Sequence, residues 1–380
     1  MPNISGSRAI LITTDYPPEI GGLQTYSYRI ARDLPGRVLG QVLAGTNHAR
    51  RALPPPAAGV RLASRRGRTR WRAFWWSLWS VPYFHYRWGM DMMLHMQWTT
   101  AIPSMMMRRL GGIRYVVLVH GAELIDPGRL LIGWLRKAVL SRADAVIAGS
   151  DHTAEIVRQL GIRCRRLEVI PYGNPLEGES DRIGRVRTPN ASRVPRLMCM
   201  HRLVLRKGTA LLLDALAGMK QVPWTLDIIG RGVEEQPLRA KVAELGLGDR
   251  VRFQPPVDEA EKIRLLCEAT VFILPSLPPI SNNHVEGLGL TLLEAQSLGL
   301  PVLAARTGGI PEAVKEGLTG VLFRAGDSQD LAEKLTALLA SPGQLQAMSL
   351  AGPEWVRTHF SWKKGLRRLA ELMDSIDMER

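Results

Sequence analysis

Short apolar runs alternate with helix-length stretches along nearly the whole chain, and this alternation limits the possible folds more than any single motif. Residues 8–14, 38–45, 91–97, 114–120, 144–150 and 168–171 read as strands. Helices are expected at 23–34, around 101–110, and after Ser150 or Asp151, either of which can cap a helix running through Leu160. A second series follows, with strands at 196–201, 224–230, 251–254, 271–274 and 301–304 and helices near 211–216, 234–245, 259–268 and 290–298. Strand-helix-strand order of this kind implies parallel pairing with helical crossovers, so the fold class is α/β with two doubly wound sheets. The polar, turn-rich stretch 176–195 separates two domains, 1–178 and 190–358, and an amphipathic tail follows at about 360–380. At 380 residues each half is long enough for its own core. The halves show no short-period repeat, which excludes a solenoid.

The formal charge of +15 is one-sided: residues 1–174 hold 24 Lys and Arg against 10 Asp and Glu, whereas the rest of the chain is close to neutral. Such a field attracts polyanions, including anionic lipid headgroups and nucleic acid, and an arginine-rich composition does not by itself explain the asymmetry. Its densest part runs from Arg61 to Trp88, where Arg65, Arg66, Arg68, Arg70 and Arg72 lead into a cluster of tryptophans and tyrosines. The apolar portion, 73–86, is interrupted by Pro82 and His85 and falls short of the roughly twenty residues a spanning helix needs. Two readings stay open. The segment lies in an anionic membrane interface, with rings at headgroup level and arginines on phosphates, or Trp75, Leu78 and Trp79 form the buried face of a helix packed on the sheet. Single-stranded nucleic acid is not expected, because no RNA-binding motif accompanies the aromatics. Cys164, Cys199 and Cys267 are widely spaced and odd in number, which suits reduced thiols in a cytoplasmic protein and no zinc site. The apolar run 9–13 is too brief for a signal-peptide core.

The chemistry concentrates in residues 282–295, which place Glu286, Gly287, Leu288, Gly289, Leu290 and Glu294 around a helix start. Gly287 and Gly289 lack Cβ atoms and let backbone N–H groups approach a ligand. The helix that follows runs to Gly299, a suitable C-cap, and its N-terminus favours an anion such as a diphosphate. Glu286 precedes that helix and Glu294 lies a turn inside it, so the two carboxylates reach different parts of one ligand. Arg202, Arg206 and Lys207 sit at a strand-to-helix turn, where cations neutralise a diphosphate. Gly21 and Gly22 end a loop after the first strand, Gly230 follows a strand in the second half, and His120 closes another strand, at the end where α/β sheets collect functional groups.

The spacing Glu286…Glu294 resembles the Glu-x7-Glu motif of the retaining glycosyltransferases of family 4. Pro275-Ser276 before it and Gly308-Gly309-Ile310-Pro311-Glu312 after it fit that family, and Arg202…Lys207-Gly208 is similar to its Gly-Arg-Leu…Lys-Gly segment. The resemblance spans nearly the whole chain and is most specific from Arg196 to Phe323. One position departs: His201 stands where the family usually has glycine.

The resemblance implies a GT-B fold, two Rossmann-like domains facing a central cleft, with an acceptor-binding first domain, a nucleotide-sugar-binding second domain and a terminal helix that crosses back to the first. It implies catalytic roles for His120, Arg202, Lys207 and Glu286, and donor contacts from Gly21, Gly22, Gly230, Gly287, Leu288, Gly289, Leu290 and Glu294. Glu286 would hold sugar hydroxyls, Glu294 the ribose, Arg202 and Lys207 the diphosphate, and His120 the donor sugar. No Asp-x-Asp triplet has suitable surroundings, so no cofactor and no metal is expected. The expected reaction moves a hexose or N-acetylhexosamine from a nucleoside-diphosphate sugar, UDP-linked by preference, to a lipid-linked or membrane-proximal glycan on the inner face of the cell membrane. A soluble small-molecule acceptor and a sugar-nucleotide epimerase are the competing readings. A polyanion-binding module would explain the charge but not the paired glutamates.

Overall fold

The computed structural model describes residues 9–13, 15, 22–34, 43–44, 70–121, 123–124, 130–178, 194–219, 221–279 and 286–379, and of 43–44, 70–76, 88 and 109–111 the backbone alone. Two compact units result, Met1–Tyr172 with Lys363–Arg380 and Gly173–Trp362.

In the first unit, strands β1 (Ala9–Thr13), β2 (Leu43–Ala44), β3 (Met92–His95), β4 (Arg114–Val119), β5 (Ala145–Ala148) and β6 (Leu167–Val169) form one parallel sheet in the order β2-β1-β3-β4-β5-β6. Helices α1 (Gly22–Asp33), α2 (Arg70–Trp88), α3 (Ile102–Gly111), α4 (Leu130–Arg142) and α5 (Asp151–Gln159) connect them, and Ser150 Oγ caps α5 by accepting from Thr153 N. The strands are short and apolar because both faces of a parallel sheet are covered; Val81, Phe84, Met93, Tyr115, Val117 and Val139 belong to one core. Right-handed crossovers along β2, β3, β4 and β5 put α2, α3 and α4 side by side on one face.

One of the two readings of the basic aromatic segment is corrected here. Helix α2 runs through Pro82, beside Val81 and Phe84, which are 0% and 4% exposed. Its inward face is Ser77, Ser80, Val81 and Phe84, while Leu78 is half-buried and Trp79 is 78% exposed. The side chain of Trp75, the segment 61–69 and most of the second expected strand lie outside the described residues.

The second unit holds β7 (Arg196–Met200), β8 (Thr225–Ile229), β9 (Val251–Gln254), β10 (Val271–Leu274), β11 (Val302–Ala305) and β12 (Gly320–Phe323), also parallel, in the order β12-β11-β10-β7-β8-β9. Its helices are α6 (Thr209–Gly218), α7 (Glu235–Glu244), α8 (Glu259–Glu268), α9 (Leu290–Ser297), the single turn α10 (Ile310–Ala313), α11 (Ser328–Leu339) and α12 (Pro342–His359). Trp224 anchors the core, 1% exposed with its indole N–H donating to the Met219 carbonyl at 3.2 Å. The final helix α13 (Trp362–Met378) packs on the first sheet: Arg114 Nη1 donates to the Ile376 carbonyl (3.0 Å) and Arg166 Nη1 to Ser375 Oγ (2.7 Å).

Candidate functional site

In the second unit the chain reverses direction between β7 and β10, and in doubly wound sheets ligands bind beyond the carboxyl ends of the strands at such a reversal. The loops leaving β7 and β10 carry the cations and the carboxylate singled out by the motifs. After β7, His201 N donates to the Ile229 carbonyl (3.1 Å) and Leu203 N to the Arg231 carbonyl (2.9 Å), which holds this loop against the loop after β8. Gly230 and Gly232 permit the approach, since a Cβ on either would stand 2.0 Å from the carbonyl oxygen of His201 or Leu203 respectively. A 3-10 turn, Leu205–Lys207, then ends at Gly208, and Leu277 N, past β10, donates to the Arg206 carbonyl at 2.9 Å.

This framework turns Lys207 inward. Its Nζ donates to Glu286 Oε2, and Arg206 Nη1 reaches the same oxygen at 3.3 Å. The Glu286 carbonyl accepts from Gly309 N at 3.0 Å, which fixes the backbone beneath the carboxylate. Burial pushes the Glu286 carboxyl up, but Lys207 and Arg206 outweigh it and hold the group at about 2. Burial pulls the Lys207 ammonium below its ordinary value; Glu286 opposes this, and Arg206 and Arg202 reinforce it. Two cations contact a single carboxylate, so the cluster carries surplus positive charge suited to an anion. Arg202 is exposed and adds to the field without an ion pair to Glu286.

Because the folded carboxyl titrates below its ordinary 4.5, Glu286 contributes stability above that pH and loses it as pH falls toward about 2. We expect wild type to lose about 2 kcal/mol more than Glu286→Gln between about pH 5 and pH 3. Urea midpoints at the two pH values measure this, and parallel losses would rule it out.

Past Glu286, Gly287 is half-buried, Leu288 is buried, and Gly289 (φ +83°) precedes α9, which starts at Leu290, and as the N-cap residue supplies no side-chain cap. Glu294 lies in the second turn, buried, with Oε1 accepting from Lys262 Nζ at 2.7 Å. His201 Nδ1 donates to the Arg202 carbonyl (3.1 Å), so Nε2 carries the lone pair; that atom is buried and has no hydrogen-bond partner among the described residues. Burial, with Lys207 adding to it, pulls His201 down to about 3.

His120 and Gly22 belong to the first unit. His120 Nε2 donates to the Met96 carbonyl (2.8 Å) and Nδ1 accepts from the Tyr172 hydroxyl, so both ring nitrogens are engaged. Gly22 opens α1, whereas Gly21 and residues 281–285 lie outside the described residues. Nearby, Asp15 accepts from Gln24 Nε2 at 2.9 Å and from Gln97 Nε2. The sequence reasoning missed Lys262 and the contact made by Arg206. Arg206 was legible as a cation beside Lys207, but nothing local marks Lys262. Among the described residues no three His, Cys, Asp or Glu side chains group as metal ligands.

Two doubly wound parallel units, one with a cation–carboxylate cluster beside a helix N-terminus, define a glycosyltransferase of the GT-B fold. The family models described as Glycosyltransferase Family 4 and Glycosyl transferases group 1 match residues 20–177 and 184–355. The GDP-mannose-dependent alpha-(1-6)-phosphatidylinositol monomannoside mannosyltransferase of Mycolicibacterium smegmatis is 31% identical over 72% of this chain and 73% of its own. The D-inositol 3-phosphate glycosyltransferase of Nocardiopsis dassonvillei is 30% identical over 70% of this chain and 63% of its own. Among solved structures, the sucrose-phosphate synthase of Thermosynechococcus elongatus has the same fold, with a TM-score of 0.80 over 98% of this chain and 100% of its own at 19% identity. This chain belongs to glycosyltransferase family 4.

Proposed function

We propose that this protein transfers a mannosyl group from GDP-mannose to an inositol phospholipid or related lipid-linked glycan at the cytoplasmic face of a membrane, with retention at the anomeric carbon and without a metal ion. The observation that carries the reading is the surplus charge of the Arg206–Lys207–Glu286 cluster beside the uncapped start of α9, which matches the diphosphate of a nucleotide sugar. Sequence reading alone prefers a UDP-sugar. GDP-mannose replaces it here because the relative at 31% identity carries that donor in its name.

In the reaction the bond from the anomeric carbon to the diphosphate oxygen breaks and the acceptor oxygen bonds to the same face, its proton passing to the departing phosphate oxygen. Lys207, Arg206, Arg202 and the α9 amides stabilise the charge that grows on the leaving diphosphate. Glu286, once its cations turn to the phosphates, accepts hydroxyls of the sugar. Glu294 accepts those of the ribose, and His120 contacts the donor sugar by giving up one of its two present partners.

The lipid acceptor is supported by the face formed by α2, α3 and α4. Those helices carry eight Lys and Arg and no Asp or Glu, and they expose Trp79 (78%), Tyr86 (72%), Leu130 (93%), Leu131 (76%) and Trp134 (66%). Such a surface suits an anionic interface rather than a core. No helix among the described residues is long and apolar enough to cross a membrane.

GDP at 100 times its dissociation constant is expected to stabilise the protein by about 2.7 kcal/mol, with UDP clearly weaker at the same concentration. A thermal shift with neither nucleotide would sink the donor assignment, and a larger shift with UDP would reverse it. Flotation with vesicles containing phosphatidylinositol is expected to carry the wild type at low salt and to fail for the Trp79→Ser/Leu131→Ser/Trp134→Ser variant. Wild type left at the bottom of the gradient removes the membrane component.

A further inference from the structure

We propose that Lys262 is a positioning residue for donor recognition, holding the Glu294 carboxylate in the orientation that receives the ribose hydroxyls of the nucleotide. The inference rests on the reading of Glu294 as the ribose acid. Glu294 is 6% exposed, and a carboxylate that deeply buried keeps its charge only when paired. The pairing comes from another helix: Lys262 Nζ, on α8, donates to Glu294 Oε1 at 2.7 Å and reaches Glu259 Oε2 at 3.1 Å.

Lys262 is itself held. Asp258 caps α8 by accepting from Glu261 N at 2.8 Å, and Lys262 N donates to the Asp258 carbonyl at 2.9 Å, so the lysine leaves from a defined first turn. Burial opposes its charge, but Glu294 and Glu259 together raise its pKa above the ordinary lysine value, which keeps the ammonium charged throughout the assay range. A carboxylate offers about four lone-pair sites, and the ammonium contact on Oε1 restrains the plane in which they are presented. An ionised carboxylate accepts from both hydroxyls of a diol. A lysine that merely staples α8 to α9 would contribute to stability without influencing which sugar the nucleotide carries.

The test compares calorimetric dissociation constants of GDP and 2′,3′-dideoxy-GDP. The wild type is expected to prefer the ribose form by at least about tenfold, as loss of hydrogen bonds to a charged group implies. Lys262→Met should reduce that preference to about twofold, with the dideoxy affinity unchanged, donor KM raised and kcat held within about a factor of two. Lys262→Arg should restore most of it. Should Lys262→Met not fold, Lys262→Gln takes its place in the same comparison. Equal weakening of both nucleotides, or an unchanged preference, overturns the proposal. Glu294→Gln separates the two levels. If that variant keeps the ribose preference, the underlying reading of Glu294 fails. If it loses the preference while Lys262→Met keeps it, the role of Lys262 alone fails.

Discussion

Replacing Lys207 by alanine is expected to lower kcat by about 10²–10³, the cost of removing one preorganised donor from a site where negative charge develops. Lys207 is buried and reaches Glu286 from a turn fixed on both sides by backbone hydrogen bonds, so no neighbouring side chain can swing into its place. Arg206 would remain on Glu286 at 3.3 Å, and the surplus charge of the cluster would fall to zero. The loss should appear mainly in kcat, because the diphosphate carries more charge on the departing oxygen in the transition state than in the bound donor. Lys207→Arg should recover part of the activity by keeping the charge. A decrease below about tenfold, worth roughly 1.4 kcal/mol, would remove Lys207 from the leaving-group role. Thermal melts on the same samples separate this from misfolding.

The second large effect is on stability. Gly208→Ala is expected to cost about 3–5 kcal/mol, at the upper end of single substitutions. The residue adopts φ +67°, and an added Cβ would stand 1.9 Å from the Pro275 carbonyl oxygen. Left-handed backbone alone costs an L side chain about 1–2 kcal/mol; the rest comes from forcing apart two loops that leave adjacent strands. Neither loop can yield cheaply, because Leu277 N is bonded to the Arg206 carbonyl and the Lys207 turn closes on itself. Gly246→Ala supplies the control. Its φ of +66° is nearly the same, but a Cβ there meets nothing within 4 Å, so the cost should be about 1 kcal/mol. Urea unfolding of the two variants isolates the close approach, and equal losses would show that the backbone conformation accounts for all of it.

Most strands were legible because a parallel sheet is covered on both faces and its strands must be apolar throughout, but the edge strand β12, Gly320–Phe323, was not among those expected. The runs at 251–254 and 271–274 coincide with β9 and β10 in full. The helix at 259–268 was equally clear, with Asp258 as its cap. Four helices escaped, one of them the single turn α10. Residues 130–142 expose Leu130, Leu131 and Trp134 and so lack a clean polar face, which hid α4 from a periodicity argument. The 328–339 and 342–359 helices follow the last motif and carry no functional signal to draw attention to them.

At the site, Glu286, Lys207 and Glu294 were found by spacing, since motifs record residues tied to one loop or one helix turn. Their partners were not. Glu286 was expected to await sugar hydroxyls and is held by two cations; Glu294 was expected to await a ribose and is held by Lys262.

What the chain specified locally, then, was the α/β class, the two series of strands, the glycines that allow backbone to approach backbone and the positions of the two acids, because each depends on residues within a turn or two of one another. What tertiary structure alone decided was which charges meet. Arg206 and Lys207 lie about eighty residues from Glu286 in sequence, and Lys262 about thirty from Glu294. Such pairs form only when the strand order brings β7 beside β10 and packing lays α9 by α8.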